Sequence, residues 1–73
     1  MWVRSQDKEM LLNVIMVEVG NGGLTVHGTA NQQVYILGNY SNETKGFKVL
    51  DMLQEALVKG DKLFNMPQDS EVK

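Results

Sequence analysis

Polar and apolar residues alternate along much of the chain, and this alternation predicts several strands followed by one helix. Met1–Gln6 indicates a short strand in which Trp2 and Arg4 share one face. Leu11–Val19 is apolar at nearly every position, a pattern typical of a strand that is covered on both faces. Because its Ile and Val residues are β-branched, we expect a strand here rather than a helix.

Two turns separate the strands that follow. Gly20–Gly23 combines glycine and asparagine, which tolerate the positive φ angles of a hairpin connection. Leu24–Ala30 then alternates strictly, as a half-buried antiparallel strand does, and Val34–Tyr40 follows after the polar turn at residues 31–33. A phosphate-binding glycine loop leads into the N-terminus of a helix, whereas this one leads into a strand, so we predict a hairpin and no phosphate site.

A helical period replaces the alternation after Tyr40. Apolar residues recur at helical spacing and form one stripe, which consists of Phe47, Val49, Leu50, Leu53, Ala56 and Leu57. We predict a helix from about Asn42 to Lys59, with Ser41 as its N-cap and Gly60 as the residue that ends it. Gly46 is a weak point of this helix, because glycine costs about 1 kcal/mol relative to alanine.

Together these elements predict a single α+β domain over residues 1–69 and a frayed C-terminal tail at residues 70–73. The element order is β-β-β-β-α-β. We expect a four-stranded antiparallel meander, one helix packed on one face, and a short C-terminal strand at Lys62–Met66 that ends at Pro67. The last strand is expected to return beside the first.

Composition limits the possible chemistry. The chain has 73 residues, no cysteine and one histidine, which excludes disulfides and cysteine- or histidine-rich metal sites. We expect no metal and no cofactor. Nine acidic residues against seven basic ones argue against a nucleic-acid partner. No apolar run approaches the ~20 residues that span a bilayer and no signal-peptide pattern is present, so we expect a cytoplasmic protein, since a cysteine-free chain suits a reducing compartment.

The candidate binding residues come from the two ends of the chain. The return of the last strand places Trp2 near Phe64 and Met66, and an indole beside a guanidinium suits anion recognition or a protein hot spot. The predicted ligand- or partner-binding set consists of Trp2, Arg4, Lys8 and Met66. The alternative is structural, with the indole at the edge of the core and the guanidinium in an ion pair. Three carboxylates qualify as its partner: Asp7, Asp51 and Asp69.

Other side chains give weaker indications. His27 stands between two threonines without a nucleophile or an orienting partner in the pattern, so we expect a solvated side chain. Glu55 and Lys59 lie four residues apart and are expected to pair on the helix surface. Because methionine fills both cores and adaptable interfaces, we expect Met16 in the core, and Met52 together with Met66 at an interface.

Four segments, taken together and in order, carry a family resemblance. They read MWVRSQDK (residues 1–8), LGNYS (37–41), VLDMLQ (49–54) and FNMPQD (64–69). With these segments the chain resembles a group of very short proteins from Gram-positive Firmicutes and their phages. Gly46 departs from the group, which favours alanine or a similar helix former there. The resemblance implies a lineage shared by bacteria and phages, and it implies no particular activity.

We expect a non-enzymatic interaction protein, because the pattern contains no nucleophile–base set, metal cluster or cofactor motif. The phage lineage makes a modulator or inhibitor of a host defence protein the specific hypothesis. A small-ligand or nucleotide-binding protein, with its site near the N-terminal strand, is the alternative. A nucleic-acid module that stacks bases on Trp2, Tyr35 and Tyr40 is a third hypothesis, which the acidic balance disfavours.

The first prediction concerns assembly. A cysteine-free chain of 8.2 kDa buries a small core, and small domains commonly gain stability from a second subunit. We predict a homo-oligomer, most simply a C2 dimer, for which light scattering at micromolar concentration gives twice the mass of one chain. A species of 8.2 kDa would contradict this prediction.

Overall fold

The computed structural model describes residues 1–73 and contains one helix and two three-stranded sheets. The elements are β1 (Trp2–Arg4), β2 (Leu11–Asn13), β3 (Met16–Gly20), β4 (Thr25–Ala30), β5 (Gln33–Asn39), α1 (Glu43–Lys59) and β6 (Leu63–Asn65). The first sheet has the order β2-β1-β6, and the second has the order β3-β4-β5. The α+β class is confirmed, whereas the four-stranded meander is only partly present, because its strands are divided between two sheets. No helix combines the length and the apolar character needed to cross a membrane.

The strand predicted over residues 11–19 is broken at Val14 and Ile15, and this break separates the two sheets. The Val14 amide donates to the carbonyl oxygen of Met1, the residue before β1 of the first sheet, at 2.9 Å. The next amide, that of Ile15, donates to the carbonyl oxygen of Thr29 in the second sheet, also at 2.9 Å. The prediction of one central strand is therefore wrong, because consecutive amides serve different sheets and both β2 and β3 are edge strands.

The C-terminal strand returns beside the first strand, as predicted. β6 pairs in parallel with β1, so that Val3 lies opposite Phe64 and Trp2 lies opposite Leu63. Val3 and Phe64 are buried, whereas Trp2 and Leu63 are exposed. Because successive side chains of a strand point to opposite faces, the indole lies on the face of the first sheet that is turned away from Phe64.

The core lies between α1 and the inner faces of both sheets. Its members are Val3, Val14, Val26, Leu37, Tyr40, Val49, Leu53, Ala56, Phe64, Met66 and Val72. The middle of the predicted helix stripe is confirmed, since Val49, Leu53 and Ala56 are buried. Phe47 and Leu57 are exposed, so the apolar stripe of α1 is wider than the part that the core covers.

The two ends of α1 follow from local chemistry. Asn42 is the N-cap, and its side-chain oxygen accepts from two backbone amides of the first turn, both at 3.2 Å. Ser41, the predicted cap, instead donates its hydroxyl to Asp69 at 2.9 Å. Gly60 adopts a left-handed conformation with φ 82° and ends the helix, as predicted.

The start of α1 packs directly on the turn after β3. A Cβ at Gly46 would overlap the carbonyl oxygen of Gly23, and a Cβ at Gly23 would overlap the backbone of Glu43. The two glycines therefore allow close backbone contact between the helix and the 3₁₀ turn Asn21–Gly23. Gly46, which the sequence marks as a weak point, is the residue that lets α1 approach the second sheet.

The predicted fraying of residues 70–73 is wrong. Asp69–Glu71 forms a 3₁₀ turn, and Val72 after it is buried in the core. The Glu71 carboxylate accepts a hydrogen bond from the Gln68 amide at 2.7 Å and closes the turn. One apolar residue in a polar segment is too short a pattern to indicate this burial.

Leu53→Ala tests the packing of α1. Leu53 is 5% exposed and lies in the middle of the helix. Its truncation removes buried methyl groups and leaves a cavity, so we expect the free energy of unfolding to fall by about 2–5 kcal/mol in denaturant melts. Leu57→Ala is the matched control, because Leu57 is 62% exposed. A loss below about 0.5 kcal/mol for Leu53→Ala would show that another face of α1 is buried.

Candidate functional site

The first sheet presents the predicted indole and guanidinium on its outer face. Trp2 and Arg4 point outward from β1, while Val3 between them is buried. The strand register places Leu11 beside Arg4 and Leu63 beside Trp2, and both leucines are exposed. The outer face of the first sheet is therefore an accessible surface with both apolar and basic side chains.

The turn after β1 brings Arg4 and Lys8 together. Arg4 Nε donates to the carbonyl oxygen of Lys8 at 2.9 Å, and Lys8 has a positive φ of 69°. The structure contains one ion pair, between Lys45 and Asp69. The alternative in which Arg4 pairs with a carboxylate is therefore wrong, and its guanidinium is bonded only to backbone.

Ser5 and Asp7 hold this turn in place. The Ser5 hydroxyl donates to Asp7 Oδ1 at 2.6 Å and accepts from the Met10 amide at 3.0 Å. Asp7 Oδ1 also accepts from the Glu9 amide at 2.9 Å. The hydrogen bond from the Ser5 hydroxyl, followed by that from the Glu9 amide, lowers the pKa of Asp7 below its usual value. These bonds fix the backbone that carries the two cations.

Met66 is not available to a partner. It is 2% exposed and belongs to the core, so its prediction as a binding residue is wrong. Its amide donates to the carbonyl oxygen of Arg4 at 3.0 Å and thereby continues the pairing of β6 with β1. Because residues two apart in an extended chain share a face, Met66 follows Phe64 into the core. Met16, which we expected in the core, is exposed.

Gln6 joins the two sheets. Its side-chain Nε2 donates to the carbonyl oxygen of Asn39 at 2.9 Å, and its Oε1 accepts from the Asn39 amide at 2.9 Å. Its backbone amide donates to the carbonyl oxygen of Leu37 at 2.8 Å. These bonds occupy part of the free edge of β5 as a neighbouring strand would. The Gln6 carbonyl accepts from Gln68 Nε2 at 2.8 Å, so Gln6 also holds the C-terminal segment.

A second group of bonds ties the C-terminal segment to the start of α1. The Tyr40 hydroxyl donates to the carbonyl oxygen of Pro67 at 2.9 Å, and burial raises the pKa of Tyr40 to about 12. Asp69 accepts from the amide and the hydroxyl of Ser41 at 2.7 and 2.9 Å and from Lys45 Nζ at 3.1 Å. The hydrogen bond from the Ser41 amide, followed by that from Lys45, lowers the pKa of Asp69.

Three sequence segments, residues 1–8, 37–41 and 64–69, meet at this junction. They contribute Gln6, residues 37–41 and residues 67–69, as the hydrogen bonds above show. Every buried side-chain polar atom in the structure has a hydrogen-bond partner. A satisfied network of this kind fixes a fold and offers no buried group to a ligand. The polar residues of this junction therefore have a structural role.

An open apolar groove lies between the flank of α1 and the break at Val14 and Ile15, where the chain passes from the first sheet to the second. We call this break the corner. Its volume is about 500 Å³, and eight of its nine lining residues are hydrophobic. The lining residues are Met1, Val14, Ile15, Met16, Val17, Leu50, Leu53, Gln54 and Leu57. Ile15 and Leu57 are 83% and 62% exposed. We refer to this surface as the apolar groove and identify it as the candidate functional site.

The groove forms because the chain turns at the corner and because α1 packs against one end of β3. A Cβ on Gly46 would lie 3.3 Å from Val19 Cγ1, so strand and helix touch there. At the other end of β3, Ile15 and Leu57 line the groove and are exposed. Sequence reasoning missed this site, because Ile15 lies inside an apolar run that is typical of a core. The excess width of the helix stripe at Leu57 is the one signal that indicates it.

β3 has a free edge beside the groove. It pairs with β4 on one side only, and no turn, loop or cap hydrogen bond reaches Met16–Gly20 from the other side. An unpaired strand edge presents a row of backbone donors and acceptors to which another chain can bond. The site thus combines an apolar depression with a row of free backbone groups.

Polar side chains near the sheets have local roles. The His27 ring is half-buried, with Nε2 2.9 Å from the Thr25 hydroxyl, so the predicted solvated histidine is engaged in a local hydrogen bond. Glu55 and Lys59 do not form the predicted ion pair. No three His, Asp or Glu side chains lie close enough together to hold a metal ion.

The chemistry of the groove is that of apolar contact. It contains no titratable side chain, and Gln54 is its one polar lining residue. Comparisons with protein families, with curated proteins and with solved structures found no match to this chain. The assignment of the site therefore depends on the geometry of the groove and of the β3 edge.

Asp69→Asn tests the junction through its pH dependence. The folded state lowers the pKa of Asp69 below the usual value of 3.8, so the ionised carboxylate contributes stability above that value. This contribution is lost as the pH falls through the lower pKa of the folded state. We expect Asp69→Asn to lower the midpoint of thermal unfolding more at pH 7 than at about pH 2. Asp61→Asn, at an exposed position, is the control, and an equal effect of Asp69→Asn at both pH values would contradict the role of the junction.

Proposed function

We propose that this chain is a small, non-enzymatic interaction protein that binds a partner protein through the apolar groove. The observation that carries the proposal is the composition of the groove, in which eight of nine lining residues are hydrophobic although the surface is open. Contiguous apolar surface of this kind on a small protein is typical of an interaction site. Ligand sites that perform chemistry add convergent polar groups to such a surface, and the groove has one amide side chain.

The energetics favour a partner that covers the groove. Ile15, Met16 and Leu57 are large apolar side chains that stand exposed. Burial of one such side chain contributes about 1.5–3 kcal/mol. Three such side chains in one groove therefore offer enough apolar contact to serve as the centre of an interface, where hot spots cluster.

The resemblance to phage-borne proteins supports a specific biological role within this proposal. We infer that the bound partner is a host protein whose activity the chain modulates, with a defence protein as the leading class. Small size is compatible with this role, because a binder needs only one surface of about 800 Å² per partner to form a standard interface.

Ile15→Asp is the decisive variant for this proposal. Ile15 lines the groove and is 83% exposed, whereas Val58 is 82% exposed and lies outside the groove. Neither change disturbs the core, so both variants are expected to keep the thermal midpoint of the wild type. With each protein as bait in pull-downs analysed by quantitative mass spectrometry, we expect a partner that the wild type and Val58→Asp retain and Ile15→Asp loses.

Leu57→Asp provides a second test from the other wall of the groove. Leu57 belongs to α1 and Ile15 to the corner, so the two substitutions share no local structure. A partner that is lost with both variants binds across the groove. Equal capture of all proteins by the wild type and by both groove variants would overturn the proposal.

A second candidate function rests on the outer face of the first sheet. Trp2 and Arg4 share this face. The Arg4 guanidinium donates to the backbone carbonyl of Lys8 and has no carboxylate partner. An exposed indole beside two cations suits a ligand with an aromatic ring and a phosphate, as in a nucleotide. The observation that favours this function is that the Arg4 guanidinium has no carboxylate partner.

Arg4→Ala tests the second candidate. Trp2 is the only tryptophan of the chain, so its fluorescence reports directly on a ring stacked at this face. If a nucleotide binds there, ATP quenches Trp2 fluorescence, and Arg4→Ala weakens the binding by tenfold or more, about 1.4 kcal/mol. The stability cost of this exposed change is about 1 kcal/mol or less. No quenching at millimolar ATP, or quenching that Arg4→Ala leaves unchanged, would remove the nucleotide site.

A further inference from the structure

The apolar groove has a feature that a simple apolar depression lacks. Its lining includes Met16 and Val17 of β3, a strand that pairs only with β4 and so has a free edge. The backbone groups on that edge match those of an extended chain laid alongside it. We propose that the occupant of the groove is an extended segment of another protein, which adds to β3 as a further strand. This inference rests on the proposed function and deepens it.

The dimensions of the site fit strand addition. β3 has five residues, Met16–Gly20, which is about 17 Å of extended chain at 3.3–3.4 Å per residue, and its first two residues line the groove. Successive side chains of the added strand point to opposite faces, so every second one faces the groove. Two or three apolar side chains at alternate positions therefore meet Leu50 and Leu57 of α1. A helix laid in the groove leaves the β3 edge without bonding partners from the guest.

The charged side chains next to the groove predict the charge at one end of the bound segment. Gln54 lines the groove and also borders an adjacent depression, which is lined by Asp51, Glu55, Val58 and Lys59. Neither carboxylate forms an ion pair, since the only ion pair of the structure is between Lys45 and Asp69. The two carboxylates lie one helical turn apart and repel each other. With one ammonium group against them, that of Lys59, the depression keeps a net negative charge, which attracts a further cation. The segment is therefore expected to carry a lysine or arginine where it leaves the groove past Gln54.

The same charges disfavour a second copy of this chain as the occupant. Glu18 occupies the centre of β3, and pairing of two β3 strands about their centres places the two Glu18 side chains opposite each other. Like charges directly opposite in an antiparallel pair are destabilising. The carboxylates of Asp51 and Glu55 in each copy meet no cation of the other strand, because β3 contains no lysine or arginine. A segment of another protein with a basic end supplies the cation that β3 of a second copy lacks.

A random dodecapeptide library displayed on phage, selected on the immobilised full-length protein, tests this inference. We expect the enriched peptides to have apolar residues at alternate positions and a lysine or arginine toward one end. They are expected to bind the wild type and Val34→Asp equally, because Val34 is 60% exposed and lines neither depression. They are expected to lose binding to Ile15→Asp and to Leu57→Asp. Synthetic peptides then allow the backbone and the charge to be tested separately.

N-methylation of the selected peptide tests the backbone pairing. In a strand, the amides of alternate residues point to the same edge, so methylation of one alternate set abolishes binding and methylation of the other leaves it nearly unchanged. The Asp51→Asn/Glu55→Gln double variant tests the charge, with a loss of about two- to fivefold that 0.5 M NaCl reproduces in the wild type. Asp61→Asn is the matched control and is expected to leave binding unchanged.

The outcomes separate this inference from the proposed function. Peptides with apolar residues three and four apart, whose Ile15-dependent binding withstands N-methylation, would preserve the groove as a protein-binding site and overturn strand addition. A homodimer by light scattering that dissociates upon Ile15→Asp would overturn the foreign segment in favour of a second copy. If no enriched peptide depends on Ile15 or Leu57, the proposed function and this inference both fail.

Discussion

Closure of the fold depends on the bonds that Gln6 makes at the edge of β5. The side-chain amide of Gln6 satisfies both backbone groups of Asn39, at 2.9 Å each, and its backbone binds Leu37 and Gln68. One residue thus connects the first sheet, the second sheet and the C-terminal segment. Because the two sheets share no strand, these bonds and the packing of α1 hold the two halves of the core together.

The same closure decides which strand edge stays open. Gln6 covers part of the β5 edge, and the glycine contact between Gly46 and Gly23 anchors α1 at the far end of β3. The edge of β3 and the flank of α1 are left beside each other with apolar side chains exposed on both walls. The candidate site is therefore a consequence of how the core closes, and its residues come from elements that the core uses only in part. The proposed binding of a partner uses what this surface offers, which is apolar area and backbone groups.

The structure confirms the predicted elements wherever the sequence pattern was compatible with only one kind of element. The helix over Glu43–Lys59 and its end at Gly60 agree with the helical period and the glycine signal. The return of β6 beside β1 is also confirmed. The long apolar run over residues 11–19 had two meanings, because a strand buried on both faces and two edge strands joined at a corner give the same run of residues. The predicted locations of Met16 and Met66 were both wrong for the same reason. Both residues are apolar, and only the register of the strands decides which one faces the core.

The sequence by itself determined the order and type of the elements, because hydrophobic period, β-branching, capping residues and glycines act over a few residues of chain. It also determined that no cysteine or histidine cluster is present. Only the tertiary structure decided that Val14 and Ile15 serve different sheets, that Val72 is buried, and that Gln6 reaches Asn39. These are contacts between residues far apart in the chain, and their energies depend on how the elements pack. The groove belongs to this second class, because it exists only where the corner and α1 are brought beside each other.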